Sequence, residues 1–286
     1  MTTTTRTSRA SWLLLVPALG LLAVVLLTPL IQSFFRSIGT PEFTLEHYAS
    51  LFTDGVTMTV LGRTALTAVI VTVVAFLLGY PYAYLMTRVG PRLRGVLLVI
   101  VLIPFWTSVM ARNYAWIVLL QRGGPVQSVF EFFGVTNVTF QGSVVGVTIA
   151  MSQVLLPFMV LPLFSSLGAI DRRLLLAARG LGSSPLVAFW KVYWPLSRGG
   201  VVSGLILVFT LSLGFYVTPA LLGSPQQSLI AQLLAQRTTQ LLDFAGAGAL
   251  GILVLVITLA LVAWANRFGG TISALGVAST SQTKDQ

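Results

Sequence analysis

The sequence predicts an all-α, polytopic membrane protein with six transmembrane helices, on three observations. Of its 286 residues, 56% are hydrophobic and only 8% charged, whereas an ordinary soluble domain carries about a quarter charged residues. Six stretches are apolar over the length of about 20 residues that a helix needs to cross a hydrocarbon core of about 30 Å. Of the 17 Lys and Arg and the 7 Asp and Glu, all but Arg63 and Arg112 fall between these stretches. A soluble enzyme is excluded, and so is a DNA-binding domain, in which basic residues gather on one solvated face.

The first span is expected at 11–35. It follows Arg6 and Arg9, its apolar run from Trp12 to Ile31 exceeds a signal-peptide core, and no small-x-small cleavage site follows, so it reads as an uncleaved signal anchor. The second and third, 61–87 and 95–120, flank a short basic segment with Arg88, Arg92 and Arg94. The fourth, 143–169, carries Pro157 and Pro162, which permit bends. The fifth and sixth, 199–222 and 246–266, hold Gly200, Gly204, Gly248 and Gly251, which permit close helix packing. Together they make one membrane domain over 1–270, followed by a polar tail over 271–286.

Orientation follows from the tendency of Lys and Arg to remain on the cytoplasmic side. One alternating set of connections holds Arg6, Arg9, Arg88, Arg92, Arg94, Arg172, Arg173, Arg179, Lys191, Arg198, Arg267 and Lys284. The other has only Arg36, Arg63, Arg112, Arg122 and Arg237. Both termini are therefore expected in the cytoplasm. Glu42, Glu46, Asp54, Glu131 and Asp243 then lie outside, and Asp171 opens the largest inner loop. With no carboxylate at mid-membrane, proton-coupled pumps and intramembrane aspartyl proteases lack their ionisable groups. Cysteine is absent and His47 is the single histidine, so thiolate nucleophiles and Cys-rich metal sites are excluded too. The only lysines, Lys191 and Lys284, stand outside any P-loop context. The chain is expected to be no enzyme and to carry no cofactor of its own.

The inner loop from Ile170 to Arg198 is longer than a connector needs to be. Asp171 is suited to cap a short helix through Arg179, with Gly180 and Gly182 supplying its end. Ser183 or Ser184 before Pro185 starts a second helix, expected to stop before Pro195. Phe189, Trp190, Tyr193 and Trp194 put large rings there without a soluble core to hold them. Two readings fit these rings: a docking surface or an interfacial aromatic belt.

Ala177-Ala178, Gly182, Val192 and Trp194-Pro195 match the spacing E-A-A-x3-G-x9-I-x-L-P, and on it the loop resembles the EAA loop of permease subunits of ATP-binding-cassette importers. Leu176 stands where that family usually has Glu, and Val192 and Trp194 replace Ile and Leu. The resemblance implies that 171–198 is a coupling element seated on an ATP-binding subunit, with Leu176, Ala177, Ala178, Gly182, Ser183, Pro185 and Pro195 as its residues. Further stretches, Phe43-Thr44-Leu45, Gly79-Tyr80-Pro81-x-Ala83-Tyr84, Arg112-x-Tyr114-Ala115-Trp116 and Phe215 to Gly223, look like spermidine/putrescine-type permeases. Related branches serve ferric ion, thiamine, opines, 4-aminobutyrate and aminoethylphosphonate. What the resemblance implies is one of two different permeases in the bacterial inner membrane. It would work with two ATP-binding subunits, which supply ATP and Mg, and with an extracytoplasmic substrate-binding protein received on outer segments such as 40–57 and 224–243.

Aromatic faces attract ammonium groups, and Phe105, Trp106, Tyr114, Trp116, Phe215 and Tyr216 are candidates to line the path of an organic cation. Interface anchoring and packing fit each of them as well. Arg112 has three readings: a partner such as Glu131, a substrate-orienting or gating role, or snorkelling to the outer surface. A carrier or channel that needs no ATPase is the competing class. It would reduce the inner loop to a surface anchor.

Overall fold

The computed structural model describes residues 9–39, 44–135 and 139–277. Arg6, Glu42, Phe43, Lys284 and residues 278–286 of the tail, all invoked above, lie outside the described residues. The helices run in the order α1 (Arg9–Ile38), α2 (Glu46–Thr53), α3 (Gly55–Arg88), α4 (Pro91–Trp106), α5 (Val109–Leu120), α6 (Pro125–Phe132), α7 (Val144–Gly168), α8 (Arg172–Gly180) and α9 (Pro185–Ala188). A π-helical turn (Phe189–Tyr193) then leads into α10 (Trp194–Leu213), α11 (Val217–Leu222), α12 (Ile230–Thr239) and α13 (Phe244–Val277). No strand occurs among the described residues.

Five helical segments are long and apolar enough to cross a membrane: Val16–Ile38, Gly55–Arg88, Val144–Gly168, Pro185–Leu213 and Phe244–Trp264. Helices α4 and α5 pass the same test only as a pair, bent by 99° at their break, which makes them either one broken span or a re-entrant loop. The continuous helix expected over 95–120 is therefore corrected to two arms. Its interruption has a local cause, because Thr107 and Ser108 take extended backbone angles. The Pro104 carbonyl would accept the Ser108 amide in a continuous helix. It accepts instead the Thr107 hydroxyl at 3.1 Å and the Arg112 guanidinium, side-chain bonds that compete with the helical ladder. The fifth expected span, 199–222, is also redrawn: helix extends back to Pro185, stops at Gly214 and resumes at Val217. Helix α13 continues past 270 to Val277.

The chain divides into two compact units. In the smaller, Met1–Met58 with Leu234–Val256, Arg237 lies 3.1 Å from Asp54 and 3.9 Å from Asp243, and also donates to the Thr57 hydroxyl at 2.8 Å. The Thr57 hydroxyl, the Val56 and Thr57 amides and the Arg237 charge hold the Asp54 carboxyl below its ordinary 3.8, against an opposing push from burial. In the larger unit, Thr59–Leu233 with the chain from Ile257 onward, α7 is the central element. Met151, Leu155, Met159 and Leu163 form an i, i+4 stripe of fully enclosed side chains. Helix α10 lies against α7 most extensively. A Cβ at Gly200 would run into Ser166 and, at 3.0 Å, the Pro162 carbonyl, and one at Gly204 would meet the Met159 sulfur at 2.8 Å. The two backbones touch here because no side chain separates them.

Candidate coupling site

The segment after α7 is built from three local signals. Asp171 Oδ1 accepts the Arg173 amide at 2.9 Å, capping α8. At the other end the Ser183 amide bonds the Ala178 carbonyl at 3.1 Å and the Gly182 amide bonds the Arg179 carbonyl at 3.0 Å. That is a Schellman ending, with Gly182 at φ +87° in the position where only glycine is unstrained. Ser184 then caps α9 by accepting the Val187 amide at 3.3 Å, and Pro185 opens that helix. The expected stop before Pro195 does not occur. The helix widens by one residue, the Trp194 amide reaching the Phe189 carbonyl five positions back, and the Pro195 ring is accommodated without a clash against the carbonyl four residues before it.

The π turn presents its rings to one stripe of α3. Phe76, Tyr80 and Tyr84 are spaced by four and lie on one helix face. Trp194 packs against Phe76 and Tyr80 at 6.3 and 5.5 Å between ring centroids. Phe189 meets Tyr80 and Tyr84 at 6.3 and 6.2 Å, and Tyr193 meets Tyr84 at 5.3 Å. Edge-on and tilted pairs at these separations each add about 0.5–1.5 kcal/mol beyond area burial. A hydroxyl pair, Tyr80 with Ser197 at 3.3 Å, ties the same stripe to the start of α10. The motif Gly79-Tyr80-Pro81-x-Ala83-Tyr84 acquires a physical meaning: Gly79 lets Met159 of α7 approach, Ala83 is fully buried, and the two tyrosines hold the turn.

Beside the charged Arg173, Arg179 and Lys191, the loop leaves apolar side chains outward. Leu176 is 65% exposed, Leu181 88% and Leu186 71%. Ala177, Gly182 and Pro185 are exposed as well, while Ala178 and Ser183 are half-buried. Single exposed leucines are ordinary, but three on one short helical pair form a surface suited to a protein partner.

The residues proposed for a path lie on α4, on α5 and at the junction of α10 with α11. Phe105 packs on Phe158 at 5.2 Å, and the Trp116 indole donates to Gln153 Oε1 at 3.4 Å, so both meet α7. Phe215 packs against the core. Trp106 and Tyr114 are exposed, and Tyr216 is 47% exposed. Arg112 braces the α4–α5 break through the Pro104 carbonyl, and Glu131 accepts from Gln127 instead. Gln153 was not singled out from the sequence, although it is the only amide side chain in the apolar run of α7.

Residues 75–270, which contain the tyrosine stripe, α7, the capped turn and α10, match the family model of binding-protein-dependent transport system inner membrane components. The chain belongs to that family. Two relatives extend the match over nearly the whole inner membrane component. It is 31% identical over 259 residues to the spermidine/putrescine transport system permease protein PotB of Haemophilus influenzae, covering 88% of this chain and 89% of that protein. It is 30% identical over 260 residues to the PotB of Escherichia coli, covering 88% and 93%. Its fold matches a chain of the bacterial alginate ABC transporter solved with an alginate pentasaccharide-bound periplasmic protein, with TM-score 0.75 over 92% of this chain and 94% of that one, at 17% identity. It is therefore a multi-pass permease subunit of an ABC importer.

One test of the turn needs no partner. Gly182→Ala is expected to cost this permease about 1–2 kcal/mol of left-handed strain at a site where a Cβ has open space around it. Amide hydrogen exchange at residues 182 and 183 should then accelerate by about tenfold. Gly180→Ala, which also has open space and an ordinary helical φ, should leave both amides unchanged.

Proposed function

We propose that this chain is one of two different permease subunits in an importer of small organic cations, the polyamines spermidine and putrescine. The observation that carries the mechanism is the capped α8–α9 turn joined through the π turn to the tyrosine stripe of α3. The apolar face around Leu176, Ala177, Ala178, Gly182, Ser183 and Pro185 seats on one of two ATP-binding subunits, which hold ATP and Mg. The chain itself holds no cofactor and hydrolyses nothing. Closure of those subunits moves the turn, and the ring contacts carry that movement to α3 while Pro195 keeps the widened turn in place. Both termini, the polar tail and the loop 171–198 lie in the cytoplasm, attached to a single membrane domain over 1–270. A substrate-binding protein docks on the opposite side. The polyamine cargo is supported by the identity to the two PotB proteins.

The reading is tested by purifying the tagged chain from its native membrane in mild detergent and identifying what stays bound. An ATP-binding subunit and a second permease are expected, with ATPase activity stimulated by the binding protein loaded with spermidine. A chain that purifies alone and moves solute in vesicles without ATP overturns it.

A further inference from the structure

We propose that two adjoining hollows beside α8 bind the phosphate of an anionic phospholipid headgroup. The first, about 100 Å³, lies between Arg88 and Arg94, with Phe164, Leu167 and Ile170 in its wall. The second, about 380 Å³, lies between Arg88 and Arg179, with Tyr84, Leu176 and Phe189. Arg88, Leu175 and Tyr193 line both, so Arg88 stands between two further guanidinium groups.

The charge of this site is unbalanced within the chain. Among the described residues, ion pairs form only around Arg237, and Arg88, Arg94 and Arg179 have no carboxylate partner. Arg94 spends Nε on the Met86 carbonyl at 3.1 Å and one Nη on the Val89 carbonyl at 3.4 Å. Arg88 lies over the Tyr84 ring, 4.8 Å from its centroid, and donates to the Tyr84 hydroxyl at 2.7 Å. Both forks are thus held in place with donors to spare, the geometry that suits phosphate. The acid nearest Arg179 in sequence, Asp171, accepts the Arg173 amide in capping α8.

Two features favour a lipid over a free anion. Arg88 is the last residue of α3, and Arg94 lies in the first turn of α4, so the hollows sit at the ends of membrane spans, where headgroup phosphates lie. Apart from Thr87 and Gly168 in the first, their other walls are aliphatic and aromatic, which suits a glycerol backbone and the top of an acyl chain better than a hydrated ion. Basic pockets between transmembrane helices bind anionic headgroups on this principle. The assignment requires that the chain reside in the membrane and that Leu176 and Pro185, which line the second hollow and also belong to the proposed coupling face, leave it open to lipid; it does not depend on the cargo.

The test uses the whole purified chain, stripped of lipid and titrated with phosphatidylglycerol or phosphatidylcholine while bound lipid is counted by native mass spectrometry. Phosphatidylglycerol is expected to bind selectively, and Arg88→Gln with Arg179→Gln to weaken it about thirtyfold, each contact contributing about fivefold. Arg122→Gln, at an exposed site elsewhere, should change nothing, and a melting curve establishes that the double variant is folded. Equal binding of both lipids, or undiminished binding by the folded double variant, overturns the proposal. So does inorganic phosphate that stabilises the wild-type chain through the same arginines while phosphatidylglycerol does not, which would make the hollows a free-anion site. Loss of an associated protein from the double variant with lipid binding unchanged would assign the arginines to a protein carboxylate and overturn it equally.

Discussion

Leu181→Asp is expected to lower ATP-driven uptake by tenfold or more while leaving the amount of inserted, folded chain unchanged. Leu181 is 88% exposed at the tip of the capped turn, so its side chain supports almost nothing within this subunit. A carboxylate there meets water when the chain is alone. When the turn is seated in an apolar cleft, the same group must be desolvated without a partner, at a cost of several kcal/mol, and about 1.4 kcal/mol already corresponds to tenfold. Leu181→Ala removes only apolar area and should reduce uptake much less. Uptake assays with membranes normalised to folded protein separate the two effects. Normal uptake by the Asp variant would show that this tip seats on nothing, and the coupling role would fall with it.

Gly200→Val is expected to have the largest effect on the fold itself. The new side chain would be driven into Ser166 and the Pro162 carbonyl, and a backbone carbonyl cannot rotate away as a side chain can. Overpacking of this kind costs about 1–3 kcal/mol where the surroundings can shift, and here two helix backbones would have to separate along their whole line of contact. Gly204→Ala faces the Met159 sulfur, the end of a flexible side chain, and should be milder. Gly199→Ala has open space and should be tolerated. Detergent melting curves are expected to rank the losses as Gly200 first, Gly204 second and Gly199 least. A variant at 199 as damaging as that at 200 would contradict the observed packing.

Four of the six spans were legible in the sequence because hydrophobic length alone dictates them, whereas 95–120 and 199–222 gave no sign of their breaks; the caps at Asp171, Gly182 and Ser184 were legible because capping acts within a few residues. What escaped was decided by partners far along the chain or by local competition. Nothing periodic in 76, 80 and 84 reveals that they face Phe189, Tyr193 and Trp194, more than a hundred residues later. The sequence also shows Pro195 as a stop, and only the widened turn reveals how helix passes through it. Arg112 reads as a charge in search of a carboxylate, whereas its partner is a backbone carbonyl freed by the break it sits beside. The six aromatic path candidates share a chemistry that serves packing on α7, as at Phe105 and Trp116, as readily as it serves a ligand.

The 99° break sets a limit on what can lie beside it. At about 1.5 Å per residue, the 16 residues of α4 and the 12 of α5 reach about 24 and 18 Å. Neither arm alone spans a core of about 30 Å, so where the pair is inserted as one span the peptide groups of Thr107 and Ser108 turn within its depth. Both residues are exposed on this subunit, as is the neighbouring Trp106. Acyl chains offer no hydrogen bonds to an interrupted helix. An elbow so placed adjoins either a hydrated cavity or the flank of another polypeptide, and the lipid annulus around the subunit is then discontinuous there.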